Sequence, residues 1–328
     1  MAENRLNIIH VTSEKSPDPF FQKGRTEQKK QLQAKFERLW LIDPERFNPL
    51  RNCMERERVE RTWRLLTKHV NLSKRPHVVD IGCAAGIFSR RLRDAGAQGH
   101  AVDIAENALK KFREIGSDHI DLKQEAMPDT HLPDQSFQTI ICTELIAEIP
   151  QQNYRLFFAE LARIITPDGY LICSSSIDIE SVGGVEKLIE LVQSEFDIIE
   201  DIASYHALYL RLKRLLNTPS RFIEGWQDPK TKRKEIAQLR GFNCGWYWLN
   251  TPPLLIWFWY ACYPLTNFIH NWLRNQTSCL LFLEKVCRFL SDQDGISNYL
   301  FIAKRRSFPS IHPDEIPQER LSRKEVWD

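Results

Sequence analysis

The chain has 328 residues, of which 42% are hydrophobic and 27% charged, and its formal net charge is +2. This length is enough for one large domain with a sizeable core, or for a domain with a substantial addition. A charge so close to zero argues against a nucleic-acid-binding surface spread over the whole molecule, although a local basic patch stays open. We therefore expect no nucleic-acid partner.

The eight cysteines form no C-x-x-C pair and no Cys/His cluster at zinc spacing. Cys83, Cys142 and Cys173 lie in or beside apolar strand patterns, which is typical of small buried hydrophobic residues. This usage predicts a reducing, cytoplasmic compartment and no metal site. The N-terminus, MAENRLNIIHV, has no basic start followed by a long apolar stretch, so we expect no signal peptide.

The N-terminal quarter of the chain divides into two predicted segments. Residues 1–24, with Pro17 and Pro19, read as a flexible end, and residues 25–75 as a helical extension. The apolar residues that recur there at helical spacing are Phe36, Leu39 and Trp40, followed by Val59, Trp63 and Leu66. We expect these helices to pack on a sheet or to cover a ligand site. The charged run at 55–64 is typical of a solvated, ion-paired face, and contact of its arginines with a substrate carboxylate is the alternative.

The sequence HVVDIGCAAGI, from His77 to Ile87, predicts a buried strand, a glycine turn and the start of a helix. The apolar run around Asp80 suits a central parallel strand that is covered on both faces. Gly82 and Gly86 bracket the turn, where glycine gives the backbone freedom and lets a ligand come close to it. The helix that follows begins with free N–H groups, which favour an anionic or polar ligand.

A second short strand, from His100 to Asp103, ends in a carboxylate at the same edge of the predicted sheet. Asp80 and Asp103 are 23 residues apart in the chain, which leaves room for one β-α-β crossover. A carboxylate in this place can accept two hydrogen bonds from a ribose diol. The alternative is that Asp103 only caps the helix that starts near Ala105.

Together these motifs resemble class I S-adenosylmethionine-dependent methyltransferases. VVDIGCAAG and AVDIAENAL are similar to the glycine motif and the acidic motif of that family, and three later stretches agree in order. These are EAMPDTHLPDQSFQTIICTELIAEIP (125–150), LARIITPDGYLIC (161–173) and NYLFIAKRR (298–306). Parts of the chain are similar to ubiquinone-pathway O-methyltransferases. The resemblance covers residues 76–176 well.

The resemblance implies a Rossmann-like α/β fold with a seven-stranded, mostly parallel sheet and helices on both faces. The implied cofactor is S-adenosyl-L-methionine, with a small-molecule methyl acceptor. The cofactor-binding residues that it implies are Asp80, Gly82, Cys83, Ala84, Gly86, Asp103, Ile104, Glu125, Ala126 and Thr143. Glu125 is expected to contact the adenine, and the alternative is an ordinary solvated loop carboxylate. A dinucleotide-binding dehydrogenase is disfavoured, because Gly82, Ala84 and Gly86 do not form G-x-G-x-x-G.

The segment after the fourth predicted strand carries the candidates for catalysis. In ubiquinone-pathway O-methyltransferases it reads Glu-x-x-Glu-His, and here only Glu144 keeps its place, with Ala147 and Glu148 in the other two positions. A metal site carried over from that group is therefore not expected. Glu144 and Glu148 would share one helix face, as paired carboxylates or as solvated acids. We take Glu144 and His131 as the candidate catalytic residues, and a structural role is the alternative for both.

A long insertion, about residues 178–297, separates the fifth strand from the closing strand and is where acceptor specificity is expected. It is predicted to begin with helices over 179–196 and 202–216. Residues 205–240 are rich in Lys and Arg, and residues 241–273 hold no charged side chain but five of the nine tryptophans. Pro252, Pro253 and Pro264 are expected to break any single helix there.

The pairing of a basic run with an apolar aromatic stretch suggests a function. Such a pairing can hold a protein on an anionic membrane surface, and residues 241–273 can equally form an acceptor pocket wall or ordinary core. We predict an S-adenosylmethionine-dependent methyltransferase domain over residues 76–307, followed by an exposed tail at 308–328. Its acceptor is predicted to be lipid-like or amphiphilic, with peripheral attachment to the inner face of a membrane. The alternative is a non-catalytic cofactor-binding or scaffold protein of the same fold.

Overall fold

The computed structural model describes residues 19–177, 184–227, 253–290 and 295–306. The expectations for residues 1–18, the basic cluster at 230–234, the aromatic residues of 241–252 and the tail at 308–328 lie outside the described residues.

Helices and strands alternate through the middle of the chain. The helices are α1 (Pro19–Ile42), α2 (Cys53–His69), α3 (Ile87–Asp94), α4 (Glu106–Ile115), α5 (Tyr154–Ile164), α6 (Val185–Val192), α7 (Ala207–Leu216), α8 (Thr218–Gln227), α9 (Pro253–Asn275) and α10 (Thr277–Leu290). The strands are β1 (His77–Ile81), β2 (Gln98–Asp103), β3 (Ile120–Gln124), β4 (Phe137–Thr143), β5 (Ile165–Ser176), β6 (Phe196–Ser204) and β7 (Asn298–Arg305).

The seven strands form one sheet in the order β3-β2-β1-β4-β5-β7-β6. Strands β1 to β5 are parallel, and β7 runs antiparallel to both of its neighbours. This confirms the predicted seven-stranded, mostly parallel sheet. The strand order reverses between β1 and β4, and in open α/β sheets ligands bind beside such a reversal, outside the carboxyl ends of the strands.

Apolar side chains cover both faces of the sheet. Val79 on β1 packs in a buried cluster with Phe157 of α5. Its neighbour Val78 points to the other face, where it packs with Val59 and Leu66 of α2. The alternation along β1 explains why the strand reads as an almost continuous apolar run. The helical extension packs on the sheet through α2, as predicted.

The helix predicted over 202–216 is wrong in its first residues. Phe196–Ser204 is strand β6, which pairs antiparallel with β7 along its length. The register shifts between Ile198 and Glu200, and such a bulge interrupts the period-two alternation that marks a strand in a sequence. Part of the predicted insertion therefore belongs to the sheet.

The prediction that proline breaks the aromatic segment is also wrong for its described part. Helix α9 runs unbroken from Pro253 to Asn275 and contains Pro264. Pro253 occupies the first helical position, where an N–H has no partner inside the helix. Pro264 removes one intrahelical hydrogen bond, and the rest of the helix continues around it. Among the described residues, none of the helices combines the length and apolarity that a bilayer crossing requires.

Candidate active site

A cavity of about 700 Å³ opens at the carboxyl edge of the sheet, beside the reversal of strand order. The turn after β1, the end of β2 and the segment after β4 form one side of it. Helices α1 and α2 form the other side, with Trp40 and Arg58 in its wall. The N-terminal extension therefore also covers the site, the second of the two roles expected for it.

The glycine turn is held by main-chain hydrogen bonds. The N–H groups of Gly82 and Cys83 donate to the carbonyl oxygen of Val102 on β2, at 2.9 and 3.0 Å. Gly82 and Gly86 both adopt φ of +72°, the left-handed region that glycine enters without strain. A Cβ on Gly86 would lie 2.1 Å from the ring of Phe112 on α4. Gly86 thus permits the packing of α3 against α4, and it does not line the cavity.

Asp103 lies at the centre of the ligand side of the cavity. Its Oδ2 accepts a hydrogen bond from the N–H of Ala84 at 3.0 Å, and its Oδ1 from the N–H of Ala105 at 2.9 Å. Burial raises the pKa of Asp103 to about 6, against the lowering effect of these hydrogen bonds. The carboxylate lines the cavity, where a ligand hydroxyl can donate a hydrogen bond to it.

Asp80, the last but one residue of β1, lines the same cavity. Its Oδ2 accepts hydrogen bonds from the N–H of Ser89 at 3.2 Å and from the Ser89 hydroxyl at 2.6 Å. Burial raises the pKa of Asp80 to about 6, and the nearby charge of Asp103 adds to this effect. Ser89 therefore ties the start of α3 to strand β1.

The predicted adenine-side residues lie next to Asp103. The N–H of Glu125 donates to the main-chain oxygen of Asp103 at 3.1 Å. The Glu125 carboxylate meets Nδ1 of His131 at 3.2 Å, and the His131 side chain is 88% exposed. Glu125 and Ala126 line the cavity, whereas His131 does not. The structure thus places His131 away from the predicted reacting centre, as a partner of Glu125.

Glu144 faces the cavity, but its carboxylate is already engaged. Oε1 accepts hydrogen bonds from the Ser174 hydroxyl at 2.8 Å and from Nδ2 of Asn298 at 2.7 Å. Oε2 accepts from the N–H of Ser176 at 3.0 Å and from the hydroxyl of the same residue. Four donors leave this carboxylate little capacity as a base, and they join β4, β5 and β7 at the floor of the site.

The predicted shared helix face of Glu144 and Glu148 is wrong. The chain after β4 forms a single 3₁₀ turn at Ile146–Glu148, and Glu144 itself has φ of +59°. Glu148 accepts a hydrogen bond from Nζ of Lys35 on α1 at 2.7 Å. Glu144 therefore bonds to strands β5 and β7 and Glu148 to helix α1, although both line the cavity.

Glu37 of α1 supports the site from behind the cavity lining, and the sequence patterns did not reveal this role. Its carboxylate accepts hydrogen bonds from the N–H groups of Glu106 and Asn107, at 2.7 and 3.1 Å. Glu37 therefore caps the N-terminus of α4, while Asp103 accepts from the N–H of Ala105, the residue just before that helix. The contact spans about 70 residues of sequence, and no local motif encodes it.

The comparison with protein families agrees with this geometry. Residues 79–173 match the family model described as a methyltransferase domain. The core of this chain is a class I methyltransferase domain. The match includes most of β1, all of β2 to β4, most of β5 and the glycine turn, with Asp80, Asp103 and Glu144, while α1, α2 and the segment after β5 lie outside it.

Curated relatives of the methyltransferase domain carry the name ubiquinone biosynthesis O-methyltransferase. The protein from Bordetella avium is 28% identical over 102 residues, which cover 30% of this chain and 42% of that protein. The protein from Stutzerimonas stutzeri is 30% identical over 152 residues, which cover 43% of this chain and 61% of that protein. The match thus spans less than two thirds of either relative.

Two solved structures are similar to the methyltransferase domain at low sequence identity. One is an N-methyltransferase from Bradyrhizobium japonicum in complex with S-adenosylhomocysteine, with 21% identity, a TM-score of 0.44, and coverage of 52% of this chain and 89% of that one. The other is a putative sarcosine dimethylglycine methyltransferase from Galdieria sulphuraria, with 16% identity, a TM-score of 0.46, and coverage of 76% and 84%.

The cavity of the methyltransferase domain suits S-adenosylmethionine. The Asp103 carboxylate lines the cavity where a ribose diol could donate to it, and the main chain of the glycine turn is open to a close ligand at Gly82 and Ala84. The predicted cofactor residues that line the cavity are Asp80, Gly82, Cys83, Ala84, Asp103, Ile104, Glu125, Ala126 and Thr143. Among the residues that the structure describes, no cluster of three or more His, Cys, Asp or Glu could hold a metal ion.

Proposed function

We propose that the protein transfers a methyl group from S-adenosylmethionine to a small molecule. The observation that carries the proposal is the placement of the Asp103 carboxylate beside the glycine turn, in the lining of a cavity of about 700 Å³. The cofactor supplies an activated methyl group when it is bound. The protein then has to position the acceptor, exclude water and, for a hydroxyl or amine, remove a proton.

Calorimetric titration with S-adenosylhomocysteine tests the cofactor site. We expect binding by the full-length chain, and a large loss in Asp103→Ala, because the ribose then loses both acceptor oxygens. Lys187→Ala is the matched control, since its Nζ pairs with Glu190 on α6 and neither residue lines the cavity. An absence of binding by the unmodified protein, or equal binding by Asp103→Ala, contradicts the proposal.

The finer proposal is that the acceptor is lipid-like or amphiphilic and is met at a membrane surface. Large apolar side chains of α9 and α10 support it, because they are exposed instead of packed. They are Trp257, Phe258, Leu265, Phe268, Trp272, Phe282, Phe289 and Leu290, with exposed fractions between 51% and 90%. Helix α7, which packs against α10, carries Lys213 and Arg214 in its last turn. Location in the cytoplasm, on the inner face of a membrane, stays a prediction.

Co-sedimentation with vesicles of mixed neutral and anionic lipid tests the membrane proposal. We expect binding that weakens with salt and falls in the double variant Trp257→Ala/Phe268→Ala, whose side chains are 74% and 70% exposed. Trp259→Ala is the control for folding, since Trp259 stacks on Phe222 with ring centroids 4.8 Å apart. Protein that stays in the supernatant at low and at high salt rules the proposal out.

A second candidate function is cofactor binding without turnover. The observation that favours it is the engagement of Glu144 by four donors, together with the position of His131 outside the cavity. Incubation of a metabolite and lipid extract with methyl-labelled S-adenosylmethionine separates the two candidates. Label in any extract component supports the enzyme, and tight cofactor binding with no labelled product supports the non-catalytic protein.

A further inference from the structure

Arg58, on α2, carries a buried donor with no protein acceptor. Among the described residues, its Nη1 has no hydrogen-bond partner and is closed off from solvent. The Nε of the same guanidinium donates to Oε2 of Glu55 at 3.1 Å and lies 4.0 Å from Oε1 of Glu144. The side chain is 15% exposed and lines the same cavity as Asp80 and Asp103.

The neighbouring acids do not account for this donor. Glu55 lies on the Nε side, and the carboxylate oxygens of Glu144 accept from Ser174, Ser176 and Asn298. Glu148, further along the wall, is paired with Lys35. A buried N–H of a charged group costs free energy when it has no acceptor. An anionic ligand oxygen held beside the guanidinium in the cavity would offset this cost.

Charged and apolar side chains lie together in the wall around Arg58. Arg46 and Arg51 line the cavity from the segment between α1 and α2, together with the acid Glu45. Beside them lie Phe47, which stacks on Trp40 with ring centroids 4.6 Å apart, and Leu50. This combination suits a molecule with an apolar or aromatic body and a negatively charged oxygen group.

We propose that Arg58 binds an anionic oxygen, of a carboxylate or a phosphate, on the methyl acceptor. The proposal rests on the proposed methyl transfer, because it places the acceptor in the cavity that holds the cofactor residues. The planar guanidinium matches a carboxylate or phosphate in shape, and its fixed charge holds at every physiological pH. Arg58 would then set specificity by orienting the acceptor, while its own atoms take no part in the chemistry.

Calorimetry with three probes tests the proposal: phenylpropionate, its neutral counterpart phenylpropanol, and phenyl phosphate. Each is titrated into the full-length chain with saturating S-adenosylhomocysteine and again without it. We expect at least one anion to bind about 10- to 100-fold more tightly than the alcohol, as one charge-assisted hydrogen bond allows. A preference for phenylpropionate or for phenyl phosphate tells a carboxylate acceptor from a phosphate acceptor.

The variants decide whether Arg58 is responsible. Arg58→Met is expected to abolish the preference for anions and to leave S-adenosylhomocysteine binding unchanged, and Arg58→Lys to keep part of the preference. Arg64→Met is the matched control, since Arg64 is on the same helix, 67% exposed and paired with Glu57 outside the cavity. If Arg58→Met also loses binding of S-adenosylhomocysteine, the preference for anions is compared between Arg58→Lys and the unmodified protein instead.

Equal binding of all three probes by the unmodified protein, or a preference that survives in Arg58→Met, overturns the proposal. The outcome is separate from that of the methyl-transfer proposal. If S-adenosylhomocysteine does not bind but the preference for anions still depends on Arg58, the proposed methyl transfer fails and the anion site stands.

Discussion

Arg61 of α2 and Glu284 of α10 form a bidentate pair in the interior, with Nη1 2.8 Å from Oε1 and Nη2 2.5 Å from Oε2. The side chains are 12% and 6% exposed. Burial alone would raise the pKa of Glu284, but the hydrogen bonds and charge of Arg61 outweigh it and lower that pKa. The pair joins the N-terminal extension to the segment before the closing strand, two parts of the chain outside the methyltransferase family match.

Removal of one partner of this pair should destabilise the fold strongly. Arg61→Met leaves the Glu284 carboxylate buried without its partner, and such losses cost about 3–5 kcal/mol. The double variant Arg61→Met/Glu284→Leu should recover much of that free energy, because no uncompensated charge remains. Urea unfolding measures both, with the exposed Arg64→Met as the control. A cost below about 1 kcal/mol for Arg61→Met would show that solvent or another residue replaces the pair.

Gly86→Ala should cost more stability than Gly96→Ala. Both glycines have positive φ, +72° and +89°, so an alanine is strained at either place. The new Cβ at Gly86 would lie 2.1 Å from the ring of Phe112, whereas nothing lies within 4 Å of a Cβ at Gly96. We expect about 1 kcal/mol of lost stability at Gly96 and at least twice that at Gly86. Thermal unfolding of the two variants compares them directly, and equal melting temperatures would contradict the expected clash.

Binding of S-adenosylhomocysteine should weaken as the pH falls through about 6. Burial raises the pKa of Asp103 to about 6 in the ligand-free protein, and a protonated carboxyl has lost acceptor capacity for a ribose diol. The ionised form therefore binds better, and affinity is full above pH 7. At pH 5 about a tenfold loss is expected from Asp103 alone, and Asp80, whose pKa is also raised to about 6, can steepen it. Calorimetry from pH 5 to 8 measures the profile.

Asp103→Asn is the control for this pH profile. It should bind weakly at all pH values and show a flatter profile, because the titrating carboxyl is gone. A profile of the unmodified protein that is level between pH 5 and 8 would show that ionisation of Asp103 does not govern binding.

The sequence was informative where the contacts are local or follow from strand order. Strand β1, the glycine turn and the position of Asp103 were predictable, because parallel strands that follow each other bring their carboxyl ends together. The cap of α4 by Glu37 was not predictable, because its partners lie about 70 residues away. Nor was the engagement of Glu144, since Ser174 and Asn298 reach it from β5 and β7. Strand β6 was not predicted, because its bulge interrupts the alternation of apolar residues. The helix that runs through Pro264 was not predicted either.

The cap that Glu37 provides should also act on the titration of Asp103. The negative charge of Glu37 is one of the smaller causes, after burial, that raise the pKa of Asp103. Glu37→Gln removes that charge and keeps an acceptor for the N–H of Glu106 or Asn107. We therefore expect the midpoint of S-adenosylhomocysteine binding to move to lower pH, and a loss of about 0.3–1 kcal/mol in stability from the weaker helix cap.

Calorimetry across pH and urea unfolding measure the two effects. Glu27→Gln is the matched control, since Glu27 lies on the same helix and bonds only weakly to Gln31 at 3.4 Å. A midpoint that stays in place in Glu37→Gln, while stability falls as expected, would show that Glu37 acts on the helix and not on the charge of Asp103.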